Sequence, residues 1–233
     1  MVMMKVSVIV PCHNEATRIK ENCARIKAVL QSLNVDYEVV LEEDGSTDGT
    51  GDIIKRLSAK DHKIVALSFP QLRRGKGWGF RKLVEASSGD VIISMDADLS
   101  TSPDVIKEFL PALQTADVLI TNRYASPESK IPLRRRAPSL AYNAFLRILF
   151  GIRVRDTQSG FKAYRKGVFD RVKLASDGFE YDIELLAKAH RLGLRVREIP
   201  VKYIYRKDAR FSVISHGPRM VLGTVRLWKR MKV

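Results

Sequence analysis

The chain has 233 residues, and 45% of them are hydrophobic, which suffices for one domain with a sizeable buried core. Charged residues make up 29% and aromatic residues 8%, so the composition excludes an intrinsically disordered chain. The formal net charge of +15 points to an anionic partner. No apolar run approaches the roughly 18 to 20 residues that span a bilayer, so we expect no transmembrane segment. The two cysteines, Cys12 and Cys23, make no disulfide framework and indicate a reduced, intracellular protein.

The excess of positive over negative charge lies in the second half of the chain. Residues 1–122 contain 15 Lys+Arg and 17 Asp+Glu, whereas residues 123–173 contain 13 and 3, and residues 195–233 contain 11 and 2. We therefore predict one domain over residues 1–233, with a nearly neutral half, 1–122, and a basic half, 123–233, that meets something anionic.

The first half alternates short apolar runs with segments of helical periodicity. The run 6–11 is β-branched and stopped by proline, as in a strand buried on both faces. In chain order we predict strands over 6–11, 37–41, 63–69, 91–95 and 118–121, and helices over 16–33, up to 57, over 78–86 and over 103–113. Strands that alternate with helices predict an α/β fold with a mostly parallel, open, Rossmann-like sheet and helices on both faces.

The second half is less regular. We predict helices over 138–150, 179–192 and 213–231, and two short strands around Pro200 within 196–205. The last helix is basic and amphipathic, with apolar residues such as Leu222 and Trp228 beside Arg226 and Lys229. That pattern is typical of a helix lying on a membrane surface, and equally of a packed helix with a solvated basic face.

The motif Asp96-Ala97-Asp98 follows the strand 91–95 directly. Carboxylates two residues apart at a strand end point towards the crevice beyond the carboxyl edge of a parallel sheet, where ligands bind. Two hard oxygen donors there suit Mg²⁺ or Mn²⁺ shared with a diphosphate. Acidic pairs at strand ends are also common caps, so this motif indicates a metal site only together with the polar motifs that follow the first two strands.

Two more polar turns close the first two strands, over 11–15 and 43–50. An acidic side chain in such a turn can accept the N–H groups of a uracil or guanine ring, although Asp44-Gly45-Ser46 alone is also an ordinary turn with a helix cap. Three such turns on successive strands favour a binding crevice. The glycines of 75–79 are not a dinucleotide fingerprint, because Phe80 stands at the third glycine position.

Together these motifs resemble glycosyltransferase family 2 of the GT-A fold, and within it the dolichyl-phosphate glucose and mannose synthases. The resemblance also rests on Asp156-Thr157-Gln158-Ser159-Gly160-Phe161-Lys162 and on the segment 179–186. It implies that 1–122 is the nucleotide-sugar half and 123–233 the acceptor half. The residues expected at the nucleotide sugar are Pro11, His13, Glu15, Leu41, Glu43, Lys76, Asp96, Ala97, Asp98 and Arg123.

The resemblance also implies the remaining roles. Asp96 and Asp98 hold the metal, and Arg134, Arg206 and Arg210 meet the acceptor phosphate. Asp98, Asp156, Asp182 and Arg206 are the expected catalytic residues. His13 stands where tyrosine is frequent, Glu43 where aspartate is usual, and Ala209-Arg210 where Ser-Lys is common, so UDP and GDP both remain open.

The implied reaction is an inverting, metal-dependent transfer of a hexose from UDP-glucose or GDP-mannose to a polyprenyl (dolichyl) phosphate. A lipid phosphate is already anionic and needs no general base, whereas a sugar hydroxyl would need one, with Asp156 and Asp182 as candidates. The basic segments would dock a peripheral enzyme on the inner, cytoplasmic face of an anionic membrane. The alternatives are a family member acting on a soluble or cell-wall glycan, and a nucleic-acid-binding protein. We expect no nucleic acid, because aromatic residues are not interleaved with the basic clusters.

Overall fold

The structure is a computed structural model that describes residues 4–71, 73–203 and 213–232. Seven strands of this part of the chain form one sheet in the order β3-β2-β1-β4-β6-β5-β7. The strands are β1 (Lys5–Cys12), β2 (Asp36–Asp44), β3 (Ile64–Phe69), β4 (Val91–Ser94), β5 (Val118–Asn122), β6 (Lys162–Arg165) and β7 (Val196–Pro200). The helices are α1 (Ile19–Ser32), α2 (Thr50–Lys60), α3 (Lys76–Ala86), α4 (Ile106–Ala112, after a 3₁₀ turn at Pro103–Val105), α5 (Leu133–Phe150), α6 (Val168–Arg171), α7 (Tyr181–Arg191) and α8 (Val213–Lys232).

The sheet is mostly parallel, as predicted. Strand β1 pairs in parallel with β2 and β4, β2 with β3, and β5 with β7. Strand β6 lies antiparallel between β4 and β5 and was not predicted. Its four residues are too short a segment for a period of two to be recognised against the surrounding polar sequence.

Helices cover both faces of the sheet, which confirms the predicted architecture. On one face, α1, α2 and α4 pack residues such as Ile26, Ile54 and Phe109 against the strands. On the other face, α3, α5, α7 and α8 do so with residues such as Phe80 and Leu146. The sheet therefore separates two apolar layers, and its edges carry the polar turns.

Two elements of the basic half differ from the predictions. Helix α5 begins at Leu133, five residues before the predicted start, and contains Pro138. Proline lacks the N–H that continues a helix and is common in the first turn, so the sequence favoured a start at Pro138. The preceding turn is nevertheless helical, with the Arg136 N–H donating to the Pro132 carbonyl at 3.0 Å. Strand β7 is the first of the two strands predicted around Pro200; residues 201–203 are not in a strand, and residues 204–212 lie outside the described residues.

The predicted basic C-terminal helix is present as α8. Its Thr224 and Leu227 are buried, whereas Val221 and Leu222 are exposed beside Arg226. None of the helices in the described ranges combines the length and the apolarity that crossing a membrane requires. Both cysteines are buried free thiols.

Candidate active site

The turns after β1 and β2 are tied to each other by hydrogen bonds. The Asn14 N–H donates to the Ser46 hydroxyl at 3.0 Å, and the Thr47 N–H donates to the Asn14 side-chain oxygen at 2.8 Å. The Glu15 N–H donates to the Thr50 hydroxyl at 2.8 Å. These bonds span 32 to 35 residues of sequence and make one wall of the crevice from two separate loops.

The residues predicted at the nucleotide are not equally accessible. Pro11, His13 and Glu15 are half-buried at the end of β1. The side chains of Leu41 and Ala97 belong to the hydrophobic core, where they support the crevice from behind. Contact between these five residues and a nucleotide stays a prediction.

Strand β2 ends in two acidic residues, Glu43 and Asp44. Both carboxylate oxygens of Glu43 accept hydrogen bonds, whereas Asp44 uses only one of its two. Glu43 is 1% exposed, and its carboxylate accepts hydrogen bonds from the Ser46 N–H at 2.5 Å and the Ser68 hydroxyl at 2.9 Å. The Asp44 carboxylate accepts from the N–H groups of Arg74 and Gly75 at 2.7 and 3.0 Å, through one oxygen. Its other oxygen is buried and has no hydrogen-bond partner among the described residues. Asp44, which the sequence placed in this motif but not among the residues assigned to the nucleotide, therefore has more capacity to accept a ligand N–H than Glu43.

Lys76 and Asp96 form an ion pair at the carboxyl edge of the sheet. The Lys76 ammonium, on the first residue of α3, lies 3.1 Å from the Asp96 carboxylate. The Lys76 charge is the main reason that the pKa of Asp96 lies below its ordinary value. Asp96 is therefore an anion at neutral pH, and Lys76 is placed beside the predicted metal site.

Asp98 is half-buried and is held by the next turn. Its carboxylate accepts the Ser100 N–H at 2.9 Å and the Ser100 hydroxyl at 2.8 Å. Leu99 between them has a φ of +50°, a left-handed backbone that leucine rarely adopts. Such strain at a polar turn is typical of a functional site.

Arg123 and Asp156 form a buried ion pair at the same edge. Asp156 is 0% exposed and accepts three hydrogen bonds from Arg123: from the backbone N–H at 2.9 Å, from Nε at 2.8 Å and from Nη2 at 2.7 Å. Burial lowers the pKa of Arg123, but the Asp156 charge outweighs it and raises that pKa above its ordinary value. The guanidinium lies 5.7 Å from the ring centre of Tyr124 and 5.2 Å from that of Tyr203, so its direction is fixed on several sides.

A second buried ion pair lies behind the loop 156–161. Lys162 is 2% exposed, and its ammonium donates to the Asp182 carboxylate at 2.8 Å and to the Ser159 carbonyl. Asp182, predicted as a possible base, is thus bound to a buried cation. The Thr121 and Ser159 hydroxyls are also hydrogen-bonded to each other, so the loop is fastened to β5 and β6.

Two of these groups, Asp96 and Arg123, line one small cavity, whereas Asp98, Lys76 and Asp156 are not among its lining residues. It has a volume of about 20 Å³ and is lined by Asp96, Ser100, Thr101, Arg123, Ser159, Gly160, Phe161 and Tyr203. Asp96 and Arg123 thus face the same space from β4 and β5. Of the predicted acceptor residues, Arg134 is exposed in the first turn of α5, away from this cavity's lining, and Arg206 and Arg210 lie outside the described residues.

The comparisons with known proteins decide the family. The profile of "Glycosyl transferase family 2" matches residues 7–173, which run from within β1 to beyond α6. The chain belongs to glycosyltransferase family 2. The crevice of this family 2 glycosyltransferase is therefore its candidate active site.

Several curated relatives of this family 2 glycosyltransferase act on polyprenyl phosphates by name. Undecaprenyl-phosphate mannosyltransferase from Micrococcus luteus is 31% identical over 88% of this chain and 85% of its own length. Dolichol-phosphate mannosyltransferase from Pyrococcus furiosus is 36% identical over 86% of this chain and 56% of its own length. Glycosyltransferase AglD from Haloferax volcanii is 31% identical over 99% of this chain, which spans only 38% of AglD.

The solved structures similar to this glycosyltransferase confirm its fold. Glucosyl-3-phosphoglycerate synthase from Mycobacterium tuberculosis, in complex with UDP, superimposes with a TM-score of 0.72 at 22% identity, over 99% of this chain and 81% of that one. The same enzyme in complex with Mn²⁺, UDP-glucose and phosphoglyceric acid gives a TM-score of 0.72 at 20% identity, over 97% and 80%. The GT-A fold expected from the sequence is therefore correct.

The residues of the crevice fit a divalent cation shared with a nucleotide. Asp96 and Asp98 offer hard oxygen donors. The described ranges contain no group of three or more His, Cys, Asp or Glu side chains that could hold a metal ion by themselves. Mg²⁺ is commonly bound by one or two carboxylates together with substrate phosphates and water. Because Gly160 has no side chain, the Asp96 carboxylate can occupy the space where a Cβ at position 160 would lie.

Replacing Gly160 with alanine should disturb the metal site without unfolding the protein. A Cβ at position 160 would overlap the Asp96 carboxylate, which ends a flexible side chain and would move away. Displacing a metal-binding side chain in this way lowers metal affinity by roughly 10- to 100-fold. The Mn²⁺ affinity is measured by titration followed by electron paramagnetic resonance, with UDP or GDP present. Gly167→Ala is the matched control, because its Cβ would lie 3.8 Å from its nearest neighbour; equal affinities in the two variants would contradict the assignment.

Glu42 gives this glycosyltransferase a pH-dependent stability. The side chain is 3% exposed, one of its oxygens has no hydrogen-bond partner in the described part of the chain, and burial, then Asp44 and Glu43, raise its pKa to about 8. Folded Glu42 keeps a proton that unfolded Glu42 releases near pH 4.5, so the free energy of unfolding falls as the pH rises from about 4.5 to 8.

We therefore expect Glu42→Gln to stabilise the protein by about 1 to 3 kcal/mol at pH 8 and hardly at all at pH 4.5. Glu38→Gln is the contrasting variant on the same strand. Ser7 and Ser88 donate to the Glu38 carboxylate and, against its burial, hold its pKa below the ordinary value, so this change should destabilise the protein at neutral pH. Urea unfolding at both pH values measures the differences, and a Glu42→Gln effect independent of pH would refute the protonated state.

Proposed function

We propose that this glycosyltransferase transfers a hexose from a nucleotide sugar to a polyprenyl phosphate at a membrane surface, with a divalent cation bound by Asp96 and Asp98. The observation that carries the proposal is the convergence of Asp96 and Arg123 on one cavity at the carboxyl edge of the sheet. Relatives with polyprenyl-phosphate mannosyltransferase names, which cover 86 to 88% of this chain, support the lipid acceptor. UDP-glucose and Mn²⁺ in the structural neighbour support the donor class and the metal.

The chain supplies positive charge where a leaving diphosphate develops negative charge. A divalent cation at Asp96 and Asp98, when bound, stabilises that charge as a Lewis acid. Lys76 brings its ammonium to the same edge through its ion pair with Asp96, while Arg123 is held by Asp156 and offers a fixed donor. Two cations held in this way can position the diphosphate for displacement.

The buried ion pairs argue against a general base. Asp156 directs both of its oxygens to Arg123, and Asp182 binds the ammonium of Lys162. A carboxylate paired with a buried cation is a poor proton acceptor, because protonation would leave the cation without its partner. An acceptor that is already an anion, such as a phosphate monoester, needs no base, so the two aspartates act as positioning residues in this proposal.

One experiment separates the candidate substrates. Purified protein is incubated with UDP-glucose or GDP-mannose, with Mg²⁺ or Mn²⁺, and with farnesyl phosphate or a soluble glycan as acceptor, and the products are identified by mass spectrometry. We expect metal-dependent formation of hexosyl farnesyl phosphate from only one of the two donors. Transfer to the soluble glycan and none to farnesyl phosphate would refute the lipid acceptor and leave the alternative family 2 activity.

The location that we propose is the cytoplasmic, inner face of a membrane. Helix α5 exposes Leu133 and Ile148, at 77% and 82%, and α8 exposes Leu222 at 59%, each beside basic residues. Each Lys or Arg near an anionic surface contributes about 1 kcal/mol to binding, which salt screens. Flotation with vesicles of phosphatidylglycerol should carry the protein upward at low salt, and vesicles of phosphatidylcholine should not. Equal flotation with both lipids, or with neither, would contradict this location.

A further inference from the structure

A larger cavity lies beside helix α5, outside the crevice just described. Its volume is about 340 Å³, within the lower range of small-molecule sites, and it is half open to solvent. Its walls are the loop after β5, one face of α5, and Arg155 in the loop that follows α5. None of the residues predicted to bind the nucleotide, the metal or the acceptor lines it.

Three arginines supply the charge of this cavity. They are Arg136 and Arg147 on α5, and Arg155. Positions 136, 140, 144 and 147 share one side of a helix, so Leu140 and Ala144 lie between the two helical arginines. The opposite side of α5 packs into the core through Leu146 and reaches α8 through Tyr142, whose hydroxyl is hydrogen-bonded to Thr224 at 2.6 Å.

Among the described residues, the three arginine side chains have no carboxylate partner. Within the residues that the structure describes, no ion pair or side-chain hydrogen bond joins Arg136, Arg147 or Arg155 to an acidic group. The Glu198 carboxylate instead accepts the backbone N–H groups of Arg155 and Asp156 at 2.8 and 3.1 Å, and so fixes the chain from which the Arg155 side chain extends. Three uncompensated guanidinium groups around one space favour an anion with several oxygens.

The apolar part of the lining restricts the kind of anion. Tyr124, Ala125, Leu140 and Ala144 line the same space, and the Tyr124 hydroxyl donates to the Ser139 hydroxyl at 2.6 Å. Leu140 is 43% exposed, and Leu133 and Ile148 of the same helix are more exposed still. An anionic head with an attached apolar tail matches this combination, whereas a free inorganic anion would leave the apolar wall unused.

We propose that the cavity between α5, Tyr124 and Arg155 binds the phosphodiester head of an anionic membrane lipid. The phosphate contacts Arg136, Arg147 and Arg155, and the glycerol and first acyl carbons lie against Leu140 and Ala144. The site deepens the membrane-surface part of the proposed function, because it adds recognition of single lipid molecules to attraction by a charged surface. It is separate from the small cavity that Asp96 and Arg123 line, where the proposed transfer takes place.

Monomeric short-chain lipid tests the site without a membrane. Binding of dihexanoyl phosphatidylglycerol, kept below its micelle concentration, is measured by calorimetry for the unaltered protein and for Arg147→Gln/Arg155→Gln. Losing two charged hydrogen-bond donors should weaken binding at least about tenfold. Lys130→Gln/Arg153→Gln removes the same charge from exposed positions outside the cavity and should leave the affinity unchanged. Thermal unfolding checks that both variants are folded.

Three results would overturn the proposal. The first is equal loss of lipid affinity in the two double variants, which would mean unspecific charge attraction. The second is binding of inorganic phosphate as tight as that of the lipid, which would make the site one for a soluble anion. The third is a rise in KM for farnesyl phosphate in Arg147→Gln/Arg155→Gln that parallels the loss of lipid affinity, which would assign the cavity to the acceptor. Because calorimetry needs no turnover, its result stands even where the proposed transferase reaction fails.

Discussion

Replacing Asp98 with alanine should lower metal-dependent hexose transfer by about 10³-fold or more, the largest effect that we expect from a single substitution. The change removes one of the two carboxylates that fit the cation and with it the charge that holds the cation against a departing diphosphate. It also removes two hydrogen bonds from Ser100, at 2.9 and 2.8 Å, so a loss of about 1 to 2 kcal/mol in the free energy of unfolding should accompany it.

Two further variants separate the metal from the turn. Asp98→Asn keeps an oxygen that can accept from Ser100 and loses the charge, so it should be stable and inactive. Asp104→Ala is the matched control: this exposed carboxylate accepts from the Ser102 hydroxyl at 2.8 Å, and its loss should leave transfer intact. Turnover with Mn²⁺ and Mn²⁺ affinity are measured for each. Full metal-dependent turnover in Asp98→Asn would remove Asp98 from the metal site.

The second large effect concerns the pair of Asp156 and Arg123. Asp156→Asn should destabilise the protein by about 3 kcal/mol, because it leaves a mostly buried guanidinium opposite an amide that offers two N–H groups of its own. Arg123 would also lose its fixed direction, and a donor that is no longer preorganised should lower kcat by about 100-fold. Chemical unfolding and steady-state kinetics measure the two effects.

The chain contains a second pair with the same bonding and a different environment. Arg195 donates to Asp117 through its backbone N–H, Nε and Nη2, at 2.8, 3.2 and 3.1 Å, as Arg123 does to Asp156. The Arg195 side chain is 58% exposed, against 18% for Arg123, so Asp117→Asn should cost at most about 1 kcal/mol and no activity. Similar losses of stability in both variants would show that burial does not distinguish the two pairs.

The sequence predicted those parts of the site that depend on strand ends. Asp96, Asp98 and the turns after β1 and β2 could be placed together because parallel strands end at one edge, and the structure brings them there. A helix whose first turn is basic and precedes an internal proline, such as α5 with Pro138, was placed less well. Local propensity favours a start at a proline, whereas packing against the rest of the fold decides where the helix begins.

The ion pairs could not be predicted, since they join residues that no local pattern connects. Asp156 and Arg123 are 33 positions apart and Lys162 and Asp182 are 20 positions apart. The sequence indicated Asp156 and Asp182 as catalytic, and as general bases only if the acceptor is a sugar hydroxyl; it did not identify Arg123 and Lys162 as their cationic partners. Gly160 and Lys162 belong to the segment 156–162, which the sequence indicated as a motif. Their contacts, Gly160 with Asp96 and Lys162 with Asp182, became visible only with the antiparallel strand β6.

The antiparallel strand β6 also sets the distance between β4 and β5. It lies between β4 and β5, and neighbouring strands are about 4.8 Å apart, so the strands that lead to Asp96 and Arg123 are held roughly 10 Å apart by backbone hydrogen bonds. Because β6 runs in the opposite direction, it begins at the edge where its neighbours end, and the loop 156–161 becomes the floor of the gap. Changes in the surrounding loops can therefore alter which sugar or base is recognised, while the span across which a diphosphate must be held stays the same.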